Sequence, residues 1–203
     1  MPDEQSRPYV YLAGPDVFYP DALLRGAKMK EALAARGMAA LFPLDDELHP
    51  GDFSDGKELG LAIGEACEAQ MRKADLGIFN IQPWRGPEAD DGTAYELGFM
   101  TALGKPVVLH TNDRRPFAER IVADVYRGEI YQDGALKRGS CDGMMIEEFG
   151  GLADNIMLVN AAVKSARLVL GPGADPAAAV HYSFEAAADF ASALWQRQIA
   201  QLK

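Results

Sequence analysis

Short apolar strand patterns alternating with amphipathic helix patterns predict an α/β fold for this chain of 203 residues. The expected architecture is a doubly wound parallel five-stranded sheet, flavodoxin-like or Rossmann-like, with helices on both faces. The length suits a single domain with a sizeable core. No internal repeat, low-complexity tract or linker divides the chain, so residues 1–203 read as one domain and 1–7 as a flexible tail.

The elements follow in order. Tyr9–Ala13 is apolar and aromatic, as a buried strand should be, and Gly14-Pro15 stops it. Asp21–Arg36 reads as an amphipathic helix with Leu23, Leu24, Ala27, Leu33 and Ala34 on one side and Gly37 at its end. Met38–Phe42 is a second short strand, followed by a polar loop, Pro43–Asp55. Asp55–Lys73 is a second helix, weakened by Gly60 and Gly64. Asp75–Ile81 is the third strand, Thr93–Leu103 a helix stopped at Gly104, and Val107–His110 the fourth strand. Thr111–Gly151 holds charges, glycines and isolated aromatics, with room for short helices. Asp154–Ser165 reads as a helix capped by Asp154, Arg167–Leu170 as the fifth strand, and Gly171–Pro176 as a surface loop. Ser183–Gln198 closes the chain as a helix capped by Ser183, with an apolar stripe through Phe184, Ala187, Ala188, Ala191, Leu194 and Trp195.

Composition narrows the function. Thirty acidic and 20 basic side chains give a formal charge of −10, which argues against nonspecific binding to nucleic acid or anionic membranes. Cys67 and Cys141 make neither a disulfide framework nor a metal-ligand spacing, and His49, His110 and His181 are scattered. The sequence therefore calls for no metal and no cofactor. No apolar run approaches the ~20 residues that cross a bilayer. The opening residues lack the apolar core of a signal peptide, and a cytoplasmic protein is expected.

The most informative stretch is Asp90-Asp91-Gly92-Thr93-Ala94-Tyr95-Glu96-Leu97-Gly98. It sets two carboxylates, Asp90 and Glu96, at the ends of a small-residue turn where the third strand empties into a helix. Parallel α/β sheets bind ligands at such places. Two carboxylates on one cleft can break a bond at a sugar's anomeric carbon, one as nucleophile and one as proton donor. The same residues also suit an ordinary turn and helix cap, because acidic groups favour the first turn of a helix. A second motif, Val10-Tyr11-Leu12-Ala13-Gly14-Pro15-Asp16-Val17-Phe18, ends the first strand. There Gly14 leaves room for a ligand to approach the backbone. Tyr11 lies where its phenol could hydrogen-bond a carboxylate, though a strand tyrosine also serves as plain core.

Together these motifs resemble the nucleoside 2-deoxyribosyltransferase family. The resemblance includes Tyr11-Leu12-Ala13-Gly14-Pro15, Phe18, and the Phe42-Pro43-Leu44-Asp45-Asp46-Glu47 loop. It continues through Arg85-Gly86 and Asp90-x-Gly92-Thr93-x-x-Glu96-x-Gly98 to Asn155-Ile156-Met157, which is similar to the family's Asn-x-Met motif. The Arg114–Asp142 loop looks like that of the family's longer branch.

The resemblance implies roles. Glu96 would be the nucleophile that attacks C1′ of a 2′-deoxyribonucleoside, leaving a deoxyribosyl ester from which a second base collects the sugar with net retention. Asp90 would protonate the departing base. Tyr11 would aim Glu96. Gly14 and Gly92 would line the substrate, Phe18 would offer a face to the base, and Glu47 would meet the base edge. Asn155 would bind the deoxyribose hydroxyls, with Met157 packing on the site. In the family this segment comes from a neighbouring subunit, which implies a homo-oligomer whose minimal unit is a dimer with Asn155 shared across the interface. The plain alternatives are a helix-start role for Asn155 and core packing for Met157. Some members carry an Asp on the second helix to read the base; here that position is Cys67, with Glu68 as a possible substitute.

The implied partners are a 2′-deoxyribonucleoside donor and a free nucleobase acceptor, with neither nucleic acid nor membrane. The acidic balance suits a neutral nucleoside better than a phosphorylated one. An N-glycosidase acting on nucleosides or deoxynucleotides, with water replacing the acceptor, is the alternative. A non-catalytic nucleoside-binding module is the third reading.

Overall fold

The computed structural model describes residues 7–46, 48–146, 151–165, 167–170 and 176–201. Strand β1 (Tyr9–Ala13) leads through a short 3-10 turn at Pro15–Phe18 into helix α1 (Ala22–Ala34) and strand β2 (Ala39–Leu41). Helix α2 (Gly56–Lys73), strand β3 (Leu76–Asn80), helix α3 (Asp91–Ala102) and strand β4 (Val107–Thr111) follow. One helical turn, α4 (Phe117–Arg120), runs on as a π-type turn over Ile121–Val125. Strands β5 (Ile130–Asp133) and β6 (Leu136–Gly139) come next, then helix α5 (Ile156–Ser165), strand β7 (Arg167–Leu170) and helix α6 (Pro176–Gln201).

The main sheet has five strands in the order β2-β1-β3-β4-β7, and every neighbouring pair is parallel. This is the expected fold class. The order reverses between β1 and β3, so the crevice at their carboxyl ends is the topological switch point.

Strand parity sorts the core into two layers. Val10, Leu12, Leu76, Ile78 and Val108 pack on one face with Met29 and Leu33 of α1 and with Phe184, Ala187, Ala188 and Ala191 of α6. Tyr11, Ala13, Phe79, Val107 and Leu109 face the other way, toward Met71 of α2, Leu97 and Met100 of α3, and Ala161 and Ala162 of α5. Lys105 Nζ donates to the carbonyls of Met71, Arg72 and Ala74, satisfying the otherwise open end of α2.

Four expectations change. The irregular stretch after β4 contains an antiparallel hairpin, β5 with β6, pairing Ile130 with Gly139 and Asp133 with Leu136. Asp154 does not cap α5; it forms a buried ion pair with Arg120, and Asn155 Oδ1 accepts the Met157 amide instead. Helix α6 starts at Pro176, where the fixed φ of proline suits a first helical turn. Ser183 is therefore inside that helix, and its Oγ lies 3.0 Å from His110 Nδ1. Of the expected tail only Arg7 falls within the described residues.

Candidate functional site

The parity that buries Val10 and Leu12 on one face turns Tyr11 toward α3 on the other. Glu96 lies on the second turn of α3, and the fully buried Tyr11 donates its phenolic O–H to Glu96 Oε1 at 2.5 Å. Glu96 itself is half-buried. Burial pushes its pKa up from 4.5 to about 7; the Tyr11 hydrogen bond pulls it back, and the charge of Asp90 adds to the rise. Burial, and then Glu96, holds the Tyr11 phenol far above its usual range, so it remains a donor.

Asp90 is the N-cap of α3. Its Oδ2 accepts the Thr93 amide at 2.9 Å and the Thr93 hydroxyl at 3.1 Å. The plain cap role and a place on the cleft thus coexist in one side chain. A Cβ on Gly92 would stand 3.1 Å from Asp90 Oδ2, so the glycine leaves the cap bond its room. Asp90 also borders a cleft of about 360 Å³ formed with Trp84, Arg85, Gly86, Pro87 and Glu88.

Gly14 is also required by the chain's own packing. Its φ of +146° is one that side chains rarely adopt, and an added Cβ would meet Asn80 Cβ at 2.5 Å. Neighbouring chain, not open space for a ligand, occupies that direction. The turn is fastened below by Asn80 Nδ2, which donates to Asp16 Oδ2 at 2.7 Å, and by Arg25, which pairs with Asp16 Oδ1 at 3.3 Å.

Phe18 is 52 % exposed and stacks on Trp84, with ring centroids 4.3 Å apart. One face of Phe18 is therefore covered by the chain itself, and the guanidinium of Arg85 lies 3.8 Å over the Trp84 ring. Trp84 was not singled out from sequence. Its position one residue before the Arg85-Gly86 motif is the signal that could have found it.

Cys67, on α2, faces the Tyr11–Glu96 pair. Burial raises its thiol pKa, the Tyr11 hydroxyl lowers it, and Glu96 and Asp46 raise it further. Glu68 points elsewhere: it accepts from Tyr95 Oη at 2.5 Å and pairs with Arg72 at 3.3 Å. Glu47 lies outside the described residues, while the neighbouring Asp46 accepts from Gln70 Nε2 at 2.7 Å.

Asn155 does take the helix-start role, through its bond to the Met157 amide at 2.9 Å. Met157 is 69 % exposed and so is not core in the single chain. Among the described residues, no cluster of three or more His, Cys, Asp or Glu side chains could hold a metal ion. Nor is any described helix long and apolar enough to cross a membrane.

Comparison with known proteins bears on this geometry. A fission yeast relative, uncharacterized protein C191.05c of Schizosaccharomyces pombe, is 33% identical over 158 residues, covering 74% of each chain. The 2-desoxiribosyltransferase from Leishmania mexicana matches 88% of this chain and 97% of its own, at 27% identity and a TM-score of 0.55. A conserved protein from Enterococcus faecalis V583 shares the fold at 20% identity and a TM-score of 0.54, over 95% of this chain and 99% of that one. The sequence model of the nucleoside 2-deoxyribosyltransferase family matches residues 10–157, a span that holds Tyr11, Asp90, Glu96 and Asn155. The chain belongs to the nucleoside 2-deoxyribosyltransferase family.

Proposed function

We propose that this protein transfers 2-deoxyribose between nucleobases of 2′-deoxyribonucleosides through a covalent ester on Glu96. The observation that carries the reading is the 2.5 Å hydrogen bond from buried Tyr11 to Glu96, on the helix that Asp90 caps at the rim of a cleft. A carboxylate held by one oxygen keeps the other available for attack, and the phenol favours the ionised form that attack requires. Glu96 Oε2 would form the bond to C1′ while the bond from C1′ to the base nitrogen breaks. The electron pair goes to the base, and Asp90 supplies the proton that base needs to leave neutral. The incoming base then attacks C1′ from the vacated face, expels Glu96 as a carboxylate, and returns a proton to Asp90. Two inversions give net retention.

Phe18 and Trp84 supply aromatic surface beside this cleft, suited to a planar base. Gly14 and Gly92 shape the turn and the helix start that bound it. Asn155 and Met157 serve the sugar site of a neighbouring subunit in a homo-oligomer. The exposure of Met157 supports this, since a lone chain leaves its thioether in water.

The test is incubation with deoxyinosine, with and without free adenine. Deoxyadenosine should form when adenine is present, and quenched protein should carry a deoxyribosyl adduct on Glu96. Hypoxanthine released equally fast without adenine would replace this reading with that of an N-glycosidase. Saturable binding with no turnover would leave a nucleoside-binding module.

A further inference from the structure

The irregular stretch after β4 contains a fully buried arginine. Arg120 is 0% exposed, and its guanidinium reaches three separate segments. Nε donates to the Pro87 carbonyl at 2.7 Å, one Nη to the Arg115 carbonyl at 2.9 Å, and the other Nη to Asp154 Oδ2 at 2.9 Å. Asp154, itself 1% exposed, accepts the Asn155 amide at 2.8 Å through its other oxygen and is also bonded by the Ala89 backbone. Pro87 and Ala89 belong to the turn that delivers Asp90, and Asn155 opens the turn before α5.

Stability alone does not account for this arrangement. A buried ion pair carries a desolvation penalty that well-packed apolar side chains avoid. Here burial lowers the Arg120 pKa and raises that of Asp154, both against the charged forms. What the pair provides is direction. A planar guanidinium holds three separated acceptors in one plane at fixed angles, whereas a lysine's single ammonium, a point charge on a flexible stem, gathers acceptors only around one atom.

We propose that Arg120 and Asp154 are positioning residues whose ion pair sets the Asp90 turn and the Asn155 turn in one rigid relation. The proposal rests on the deoxyribosyl-transfer reading above. In it, Arg120 touches no substrate and acts through the placement of Asp90. Losing the tie should therefore slow base departure only where the base needs a proton, while any shift of Asn155 should appear as a KM change shared by all donors.

The test compares Arg120→Lys with wild type on two donors, deoxyinosine and 7-methyl-2′-deoxyguanosine. The second carries a cationic base that leaves neutral without a proton. Arg120→Lys retains a charge for Asp154 but cannot fork to both carbonyls. At saturating donor, kcat on deoxyinosine should fall by about 10²-fold, the scale of a 1 Å misplacement, while kcat on the methylated donor stays near wild type. Adding Asp90→Asn should then cost little beyond Asp90→Asn alone, because both changes remove one function. Amide hydrogen exchange across Trp84–Asp91 should quicken in Arg120→Lys, a readout independent of turnover. Asp154→Asn is the second variant should Arg120→Lys not fold, with the same outcomes expected. Equal losses of kcat on both donors, additive effects with Asp90→Asn, or unchanged exchange would overturn the proposal. Wild type inactive on both donors would instead overturn the transferase reading, and exchange alone would then judge the tie.

Discussion

Glu96 should make the protein less stable as the solution becomes alkaline, and replacing it should reverse that. Its carboxyl is pushed from 4.5 to about 7 in the folded chain, chiefly by burial. An acid whose folded pKa is raised binds more protons folded than unfolded between those two values. Stability therefore falls as pH rises through that window, and the full penalty is present above about pH 7. At about 1.36 kcal/mol per pKa unit the ceiling is about 3 kcal/mol, and partial solvation of a half-buried group brings the expectation to roughly 1–3 kcal/mol. Glu96→Gln keeps an acceptor for the Tyr11 hydroxyl and removes the titration. Urea melts at about pH 5 and about pH 8.5 should show a variant near wild type at the lower pH and roughly 1–3 kcal/mol more stable at the higher. That is a large share of the ~5–15 kcal/mol that holds a domain together. An equal shift at both pH values, or destabilisation at the higher one, would refute the claim that burial opposes the Glu96 charge.

Four further outcomes are expected. Where glycosyl-enzyme formation limits the rate, kcat/KM should climb with pH through about 7 as the Glu96 carboxylate forms, and Tyr11→Phe should move that limb upward by removing the bond that favours ionisation; a downward shift counts against the pairing. Asp90→Asn preserves a good helix cap yet donates no acidic proton, so base release should slow by ~10²–10⁴-fold with the melting temperature little changed. Asn155→Ala should weaken donor binding by roughly 1–3 kcal/mol, and mixing it with Glu96→Ala subunits should restore activity; confirmed subunit exchange with no recovery would confine Asn155 to its own chain. Gly14→Ala should cost roughly 2–6 kcal/mol in denaturant melts, combining backbone strain with the clash against Asn80, and a loss under about 1 kcal/mol would contradict that contact.

Chemistry carried by a recognisable motif was legible in the sequence, and pairings outside any motif were not. The parallel sheet and the switch-point crevice follow from periodicity, whereas the Tyr11–Glu96 pairing, 85 positions apart, was legible only through the family resemblance that the motif residues of β1 and α3 carry. The extent of α2 was also readable, and the structure explains its start, where Asp55 Oδ1 accepts the Glu58 amide. By contrast, the Arg120–Asp154 bond joins residues 34 positions apart, with no periodic signature between them. The hairpin β5–β6 is half-exposed and charged, so it lacks the apolar run that marks a core strand. Cys67 could be placed on α2 from sequence. That it, and not Glu68, turns toward Tyr11 depends on how α2 rotates against β1, which packing decides.

The same ion pair closes an excursion of the chain, leaving at Arg120 and returning at Asp154, with the hairpin carried at its far end. Loop closure grows only logarithmically with length, so doubling such an excursion costs about 0.6 kcal/mol. The hairpin can accordingly be lengthened, shortened or rewritten over evolutionary time while its two roots stay fixed. A hairpin held at its roots in this way can change length or sequence without moving the cleft beside which it is rooted.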